Sequence, residues 1–130
     1  ELLRAARFFI SGQLKPVMQG EEVIEMQGLG DKVRVEASLV DYILDIITAT
    51  RNCAAISVGG SPRAAKSLYR AAQANALLEG RDYVVPDDIK RLSVPVLAHR
   101  LLLKSLRRPG SADPAEAFLN DALTKINVPS

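Results

Sequence analysis

Tryptophan is absent, and the 130 residues hold only three tyrosines and three phenylalanines. A core without many aromatics must be assembled from Leu, Ile, Val and Ala, a composition that favours helices over sheets. One cysteine, Cys53, and one histidine, His99, allow no internal disulfide and no cluster with metal-ligand spacing, so a reducing cytoplasm is the expected setting. No apolar run approaches the roughly 20 residues needed to cross a bilayer, and no signal-peptide pattern opens the chain. Charge of one sign is missing too: 17 basic residues stand against 15 acidic ones, a net +2. That balance gives no general attraction to nucleic acid or anionic membrane, and the dispersed Lys and Arg make no recognition helix for DNA. A G-x-x-x-x-G-K-[ST] phosphate loop does not occur, nor does a strand ending in paired acids to hold Mg²⁺. These residues alone are therefore expected to supply no catalytic group for ATP hydrolysis and no metal site.

Apolar residues make up 48 % of the chain, enough for one domain with its own core. The periodicity predicts an all-α helical bundle with at most two very short strands. Leu2, Leu3, Ala6 and Phe9 read as the end of a helix broken at Ser11-Gly12, and a weaker helix is expected over residues 20–32. Because the chain opens inside that first pattern, at Glu1 and not at Met, it is expected to be part of something longer. Ser38 with Asp41 makes a capping-box-like start for a helix running to Arg51, with Leu39, Val40, Ile43, Ile46 and Ile47 inward and Asp41, Asp45 and Thr48 outward. A further helix runs from Pro62 to about Glu79. Its small stripe of Ala64, Ala65, Leu68, Ala71, Ala72 and Ala76 invites a close neighbour, and Arg63, Lys66, Arg70 and Gln73 lie on the other face. Gly80 is a natural residue to end it.

Val33–Val35 and Tyr83–Val85 are the two candidate strands, and they could pair. Pro86 opens a helix with Asp87 and Asp88 in its first turn, although Val85 is a poor cap. Pro95 is expected to divide this helical stretch into two pieces, at 86–93 and 95–104. Residues 107–111 read as a linker, and Asp113 caps a last helix from Pro114 to about Ile126.

The most informative stretch is Gly59-Gly60-Ser61-Pro62-Arg63. Ser61 suits the N-cap and Pro62 the first helical position, which puts Arg63 in the first turn. The free N–H groups there carry roughly half a positive charge, so a cation is misplaced unless an anion is near. Arg63 either faces such an anion, for which helix N-termini are suited, or points to solvent or pairs with a carboxylate. Gly59 and Gly60 either admit a close approach or simply make the turn, and a β-branched residue at Gly60 would both crowd the loop and refuse positive φ.

Other features favour structural roles. His99 has no ligating neighbours. Arg100, Lys104, Arg107 and Arg108 suit a helix end, with contact to an acidic partner as the alternative. Arg81 and Asp82 could pair and shape the turn. Tyr42, Tyr69 and Cys53 read as packing residues.

The run GGSPRAAKSLYRAAQANALLEGRDYVVPDDIKRLSVPVLAHRLLL, residues 59–103, resembles the C-terminal lid of the MoxR branch of AAA+ ATPases, and VRVEASLVDYILDIITATR, residues 33–51, resembles the segment just before it. The resemblance covers roughly half the chain closely. It implies a helical lid over residues 17–130, with residues 1–16 belonging to the tail of the ATPase core or a linker. It further implies that Arg63 is the sensor-2 arginine, that Gly59, Gly60, Ser61 and Pro62 bring its loop to the nucleotide, and that ATP and Mg²⁺ are held by the parent protein and not tightly by this fragment. The partners implied are the chain's own ATPase core, a homo-oligomeric ring expected to be a hexamer, and a von Willebrand factor A domain protein. The parent would remodel or mature client proteins at the expense of ATP. The different-class alternative is a free-standing helical adaptor for protein partners without nucleotide chemistry.

Overall fold

The computed structural model describes residues 14–104 and 113–130. The expectations for residues 1–9 and 107–111, and the Arg107–Arg108 part of the basic helix end, lie outside the described residues. Within them the order is α1 (Gly20–Gly30), α2 (Ala37–Asn52), β1 (Ile56–Val58), α3 (Pro62–Leu78), α4 (Pro86–Leu97), a 3₁₀ turn (Ala98–Arg100), β2 (Leu102–Leu103) and α5 (Pro114–Lys125). The mostly helical class is as expected, and no helix among the described residues is long and apolar enough to cross a membrane.

Helix α3 is the centre of the bundle. It packs most extensively on α4 and also touches α1 and α2, while α5 closes the side formed by α2 and α4. Its alanine stripe accounts for this: Ala64, Ala72 and Ala76 are buried alongside Leu68, and small side chains let the neighbouring backbones approach. Tyr42, Ile46, Leu68, Ile89, Leu97 and Leu119 are the largest fully buried apolar side chains. Each of the five aliphatic ones contributes roughly 1.5 to 3 kcal/mol by leaving water. Tyr42 is thus a packing residue, as expected.

The ends of α3 show why it forms where it does. Ser61 Oγ accepts the Ala64 N–H at 3.2 Å, and Pro62 occupies the first turn. At the far end Gly80 takes φ +76°. The Gly80 N–H donates to the Leu77 carbonyl and the Arg81 N–H to the Ala76 carbonyl, both at 2.9 Å, which is a Schellman closure.

Four expectations need correction. The helix expected from Ser38 starts at Ala37 with Glu36 as N-cap. The preceding Arg34 is already fixed, its N–H bonded to the Asp82 carbonyl at 2.8 Å and its carbonyl to the Val84 N–H at 2.9 Å, so the chain enters the helix as soon as it leaves that tie. The same two bonds are all that forms between the two expected strands, an isolated bridge of Arg34 with Tyr83. The actual strands are β1 and β2, antiparallel with Ile56 opposite Leu103 and Val58 opposite Leu102. Pro95 does not divide α4, because Ile89, Ser93 and Leu97 form a continuous buried row across it. The proline itself is exposed, where water can replace the donor that the Arg91 carbonyl loses. Residues 102–103 pair with β1 and are not helical. Finally, Gln73 is not on the wet face of α3: it is 6 % exposed and donates to the Val33 carbonyl at 2.8 Å.

Candidate functional site

Thr50 lies one turn beyond Ile46 and Ile47, on the buried stripe of α2, and is fully enclosed. Its Oγ1 donates to the Ile47 carbonyl at 2.6 Å and accepts the Gly60 N–H at 2.8 Å. The next residue, Arg51, donates from Nε to the Gly60 carbonyl at 2.7 Å. Gly60 is thus gripped on both of its peptide groups by the last turn of α2.

The two glycines are required by space. A Cβ on Gly59 would stand 2.7 Å from Arg51 Cα and 2.8 Å from Arg51 N, and one on Gly60 would stand 2.9 Å from Ile47 Cδ1. Neither has positive φ, since among the described residues only Gly80 does. The expectation that Gly60 needs positive φ is therefore corrected to a packing requirement: the close approach is to α2.

From this anchored loop the cap of Ser61 and the ring of Pro62 lead directly to Arg63. Arg63 is exposed, and none of the four ion pairs among the described residues includes it. No acidic residue lies in the first turn of α3. Lys66 and Arg70 continue the exposed cationic side one and two turns on. Such an end attracts an anion, and a carboxylate or phosphate fits it. All five residues singled out in the sequence, Gly59 to Arg63, thus gather at one end of α3. Thr50 and Arg51, which hold them, belong to no motif in the sequence. Thr50 carried a faint signal in continuing the helical spacing of Ile43, Ile46 and Ile47.

A second polar cluster occupies the other end of α3. Asp88, buried at 3 % exposure, accepts from Arg81 Nη1 and Nη2 at 2.9 and 2.7 Å, from Asn75 Nδ2 at 2.8 Å and from the Val85 N–H at 2.8 Å. The last bond satisfies the N–H of the N-cap residue Val85, although Val85 has no side-chain acceptor for the first turn. Burial pushes the Asp88 carboxyl up, but these donors and the Arg81 charge outweigh it and hold the group below the usual aspartate range. Glu79 also lies below its usual range, chiefly through its bond from Arg81, and Arg81 is pushed higher by Asp88 and then Glu79. The pairing expected between Arg81 and Asp82 is replaced by these contacts, because Asp88 is brought back beside Arg81 by the α3–α4 turn. The cluster is saturated internally and reads as a structural clasp. Among the described residues, no group of three or more His, Cys, Asp or Glu side chains could hold a metal ion.

The chain is similar to known proteins over most of its length. The model of the AAA lid domain matches residues 48–121. The chain is 38 % identical to the uncharacterised protein YeaC of Bacillus subtilis over 116 residues, covering 89 % of this chain and 36 % of YeaC. It is 30 % identical to the chaperone MoxR1 of Mycobacterium tuberculosis over 126 residues, covering 90 % of this chain and 33 % of MoxR1. A crystal structure from Cytophaga hutchinsonii, of a protein named for an inferred ATPase activity, superposes with a TM-score of 0.80 at 29 % identity, over 91 % of this chain and 38 % of that one. The chain spans about a third of the length of the curated relatives it matches, 36 % and 33 % for these two. The chain belongs to the AAA lid domain family, as a lid of the MoxR type.

Proposed function

We propose that residues 17–130 act as the nucleotide-responsive lid of a longer MoxR-type ATPase, with residues 1–16 joining it to the ATPase core, and that Arg63 is the sensor-2 arginine. The observation that carries this is the exposed Arg63 in the first turn of α3, without a carboxylate partner among the described residues and on a turn that contains no acid. A phosphate resolves that electrostatic conflict. ATP and Mg²⁺ would be held mainly by the core, and this chain would add one cation and the positive end of a helix. Phosphoryl transfer depends on positioning and charge stabilisation, so one correctly placed arginine from a lid affects turnover without itself reacting. In this reading the parent works in the cytoplasm as a ring, with Gly59, Gly60, Ser61 and Pro62 setting the lid against the nucleotide. ATP-driven lid movement would then serve remodelling or maturation of client proteins, with a von Willebrand factor A domain protein as partner.

The test is steady-state ATP turnover and ATP affinity of the full-length protein with Arg63→Ala, beside thermal melts. Turnover is expected to fall about a hundred-fold while the melting temperature stays in place. Unchanged turnover and affinity would overturn the assignment and leave an interaction module in its stead.

A further inference from the structure

We propose that Arg51 is a positioning residue for Arg63, acting through the Gly60 carbonyl and not through its charge. The inference rests on the reading of Arg63 given above and names the residue that makes Arg63 effective.

Three observations lead to it. Gly60 is held from both sides, its N–H by the buried Thr50 Oγ1 at 2.8 Å and its carbonyl by Arg51 Nε at 2.7 Å, so the planes of both its peptide groups are set by α2. Gly59 lies directly on the Arg51 backbone, too close to admit a Cβ, so the loop has no room to move toward α2. Between Gly60 and Arg63 there is little slack: Ser61 is tied to the Ala64 N–H, and the Pro62 ring fixes φ. A shift of the Gly60 peptide is therefore passed to the start of α3 and to Arg63.

The two ties differ in energetic character. Thr50 is enclosed, and losing it would strand a buried Gly60 N–H. Arg51 is exposed and its bond to the Gly60 carbonyl is only partly buried, so that bond adds less to stability than the enclosed one from Thr50. Its geometric consequence is larger, because small displacements of a charge at phosphate distances are costly to catalysis. Stability and turnover should therefore separate at Arg51.

Two substitutions isolate the bond. Arg51→Gln places an amide donor, Nε2, at the same position along the side chain as the arginine Nε. Arg51→Met places a methyl there, keeping the stem and removing the donor. In the full-length protein Arg51→Met is expected to lower kcat about ten-fold with an unchanged melting temperature, while Arg51→Gln stays within about three-fold of the parent. Hydrogen exchange at residues 59–61 should rise in Arg51→Met alone. Because Arg51 acts through Arg63, the double variant Arg51→Met/Arg63→Ala should be no slower than Arg63→Ala. Arg91→Ala, on the exposed side of α4 where Arg91 pairs with Glu79, serves as the control that leaves turnover unchanged.

Equal loss in the Gln and Met variants would assign Arg51 a role through charge and overturn the proposal. So would multiplied losses in the double variant, or parent-like turnover in Arg51→Met beside lost turnover in Arg63→Ala. Parent-like turnover in Arg63→Ala would instead overturn the reading of Arg63, and this proposal with it.

Discussion

Asp88 and Tyr42 are two polar side chains enclosed by the same bundle with opposite outcomes. Asp88 has every donor it needs, and its depressed pKa makes it a source of pH-dependent stability. A carboxyl whose folded pKa lies below its unfolded value contributes fully above the unfolded value, near 3.9, and loses that contribution as pH falls through the folded one. Asp88→Asn is therefore expected to cost about 2 kcal/mol at neutral pH. The gap between its melting curve and the parent's should narrow as pH is lowered from 5 toward 2, measured by thermal melts across that range. Tyr42, in contrast, buries its hydroxyl with no partner among the described residues, and burial followed by the charge of Asp87 raises its pKa. Removing an unsatisfied hydroxyl while keeping the ring is expected to leave the melting temperature unchanged or higher, so Tyr42→Phe should melt no lower than the parent.

Among the elements, α3 is bounded most sharply, and its closing residue offers a clean measurement. A Cβ on Gly80 would meet nothing within 4 Å, yet φ is +76°. Gly80→Ala should thus cost about 1 kcal/mol from backbone strain alone, read by denaturant unfolding. The boundaries of α3 are legible in the sequence because Ser61, Pro62 and Gly80 act locally, through a cap, a fixed φ and a left-handed turn. The boundaries of α5 are legible for the same reason, with Asp113 accepting the Ala115 N–H at 2.9 Å. The strands are not legible. Among the described residues Ile56–Val58 and Leu102–Leu103 pair as strands only with each other, and a pairing across more than forty residues leaves no periodic mark in either segment. Pro95 misleads for a related reason: the local rule is outweighed by burial of Ile89, Ser93 and Leu97 on both sides of it. At the candidate site the sequence discloses Gly59 to Arg63, whose chemistry is local, and conceals Thr50 and Arg51. Their hydrogen bonds exist only after α2 and α3 have packed.

At the scale of the whole molecule, stability is distributed unevenly. Helix α1 has no buried residue and leaves Val23, Ile24 and Leu29 exposed, whereas α3 is enclosed by its neighbours. Native-state hydrogen exchange should find the α1 amides opening at low free energy and those of α3 near the global value. Equal protection of the two helices would contradict this. The clasp at Arg81 and Asp88 has a mechanical meaning as well. It fastens the end of α3 to the beginning of α4, the pair of helices that pack most extensively on each other. Helix α3 has 17 residues and measures about 25 Å, so a tilt of roughly 5° about one end sweeps the other through about 2 Å. If Arg63 meets nucleotide as proposed, a tilt of α3 set at that end would displace most the turn that holds Arg81.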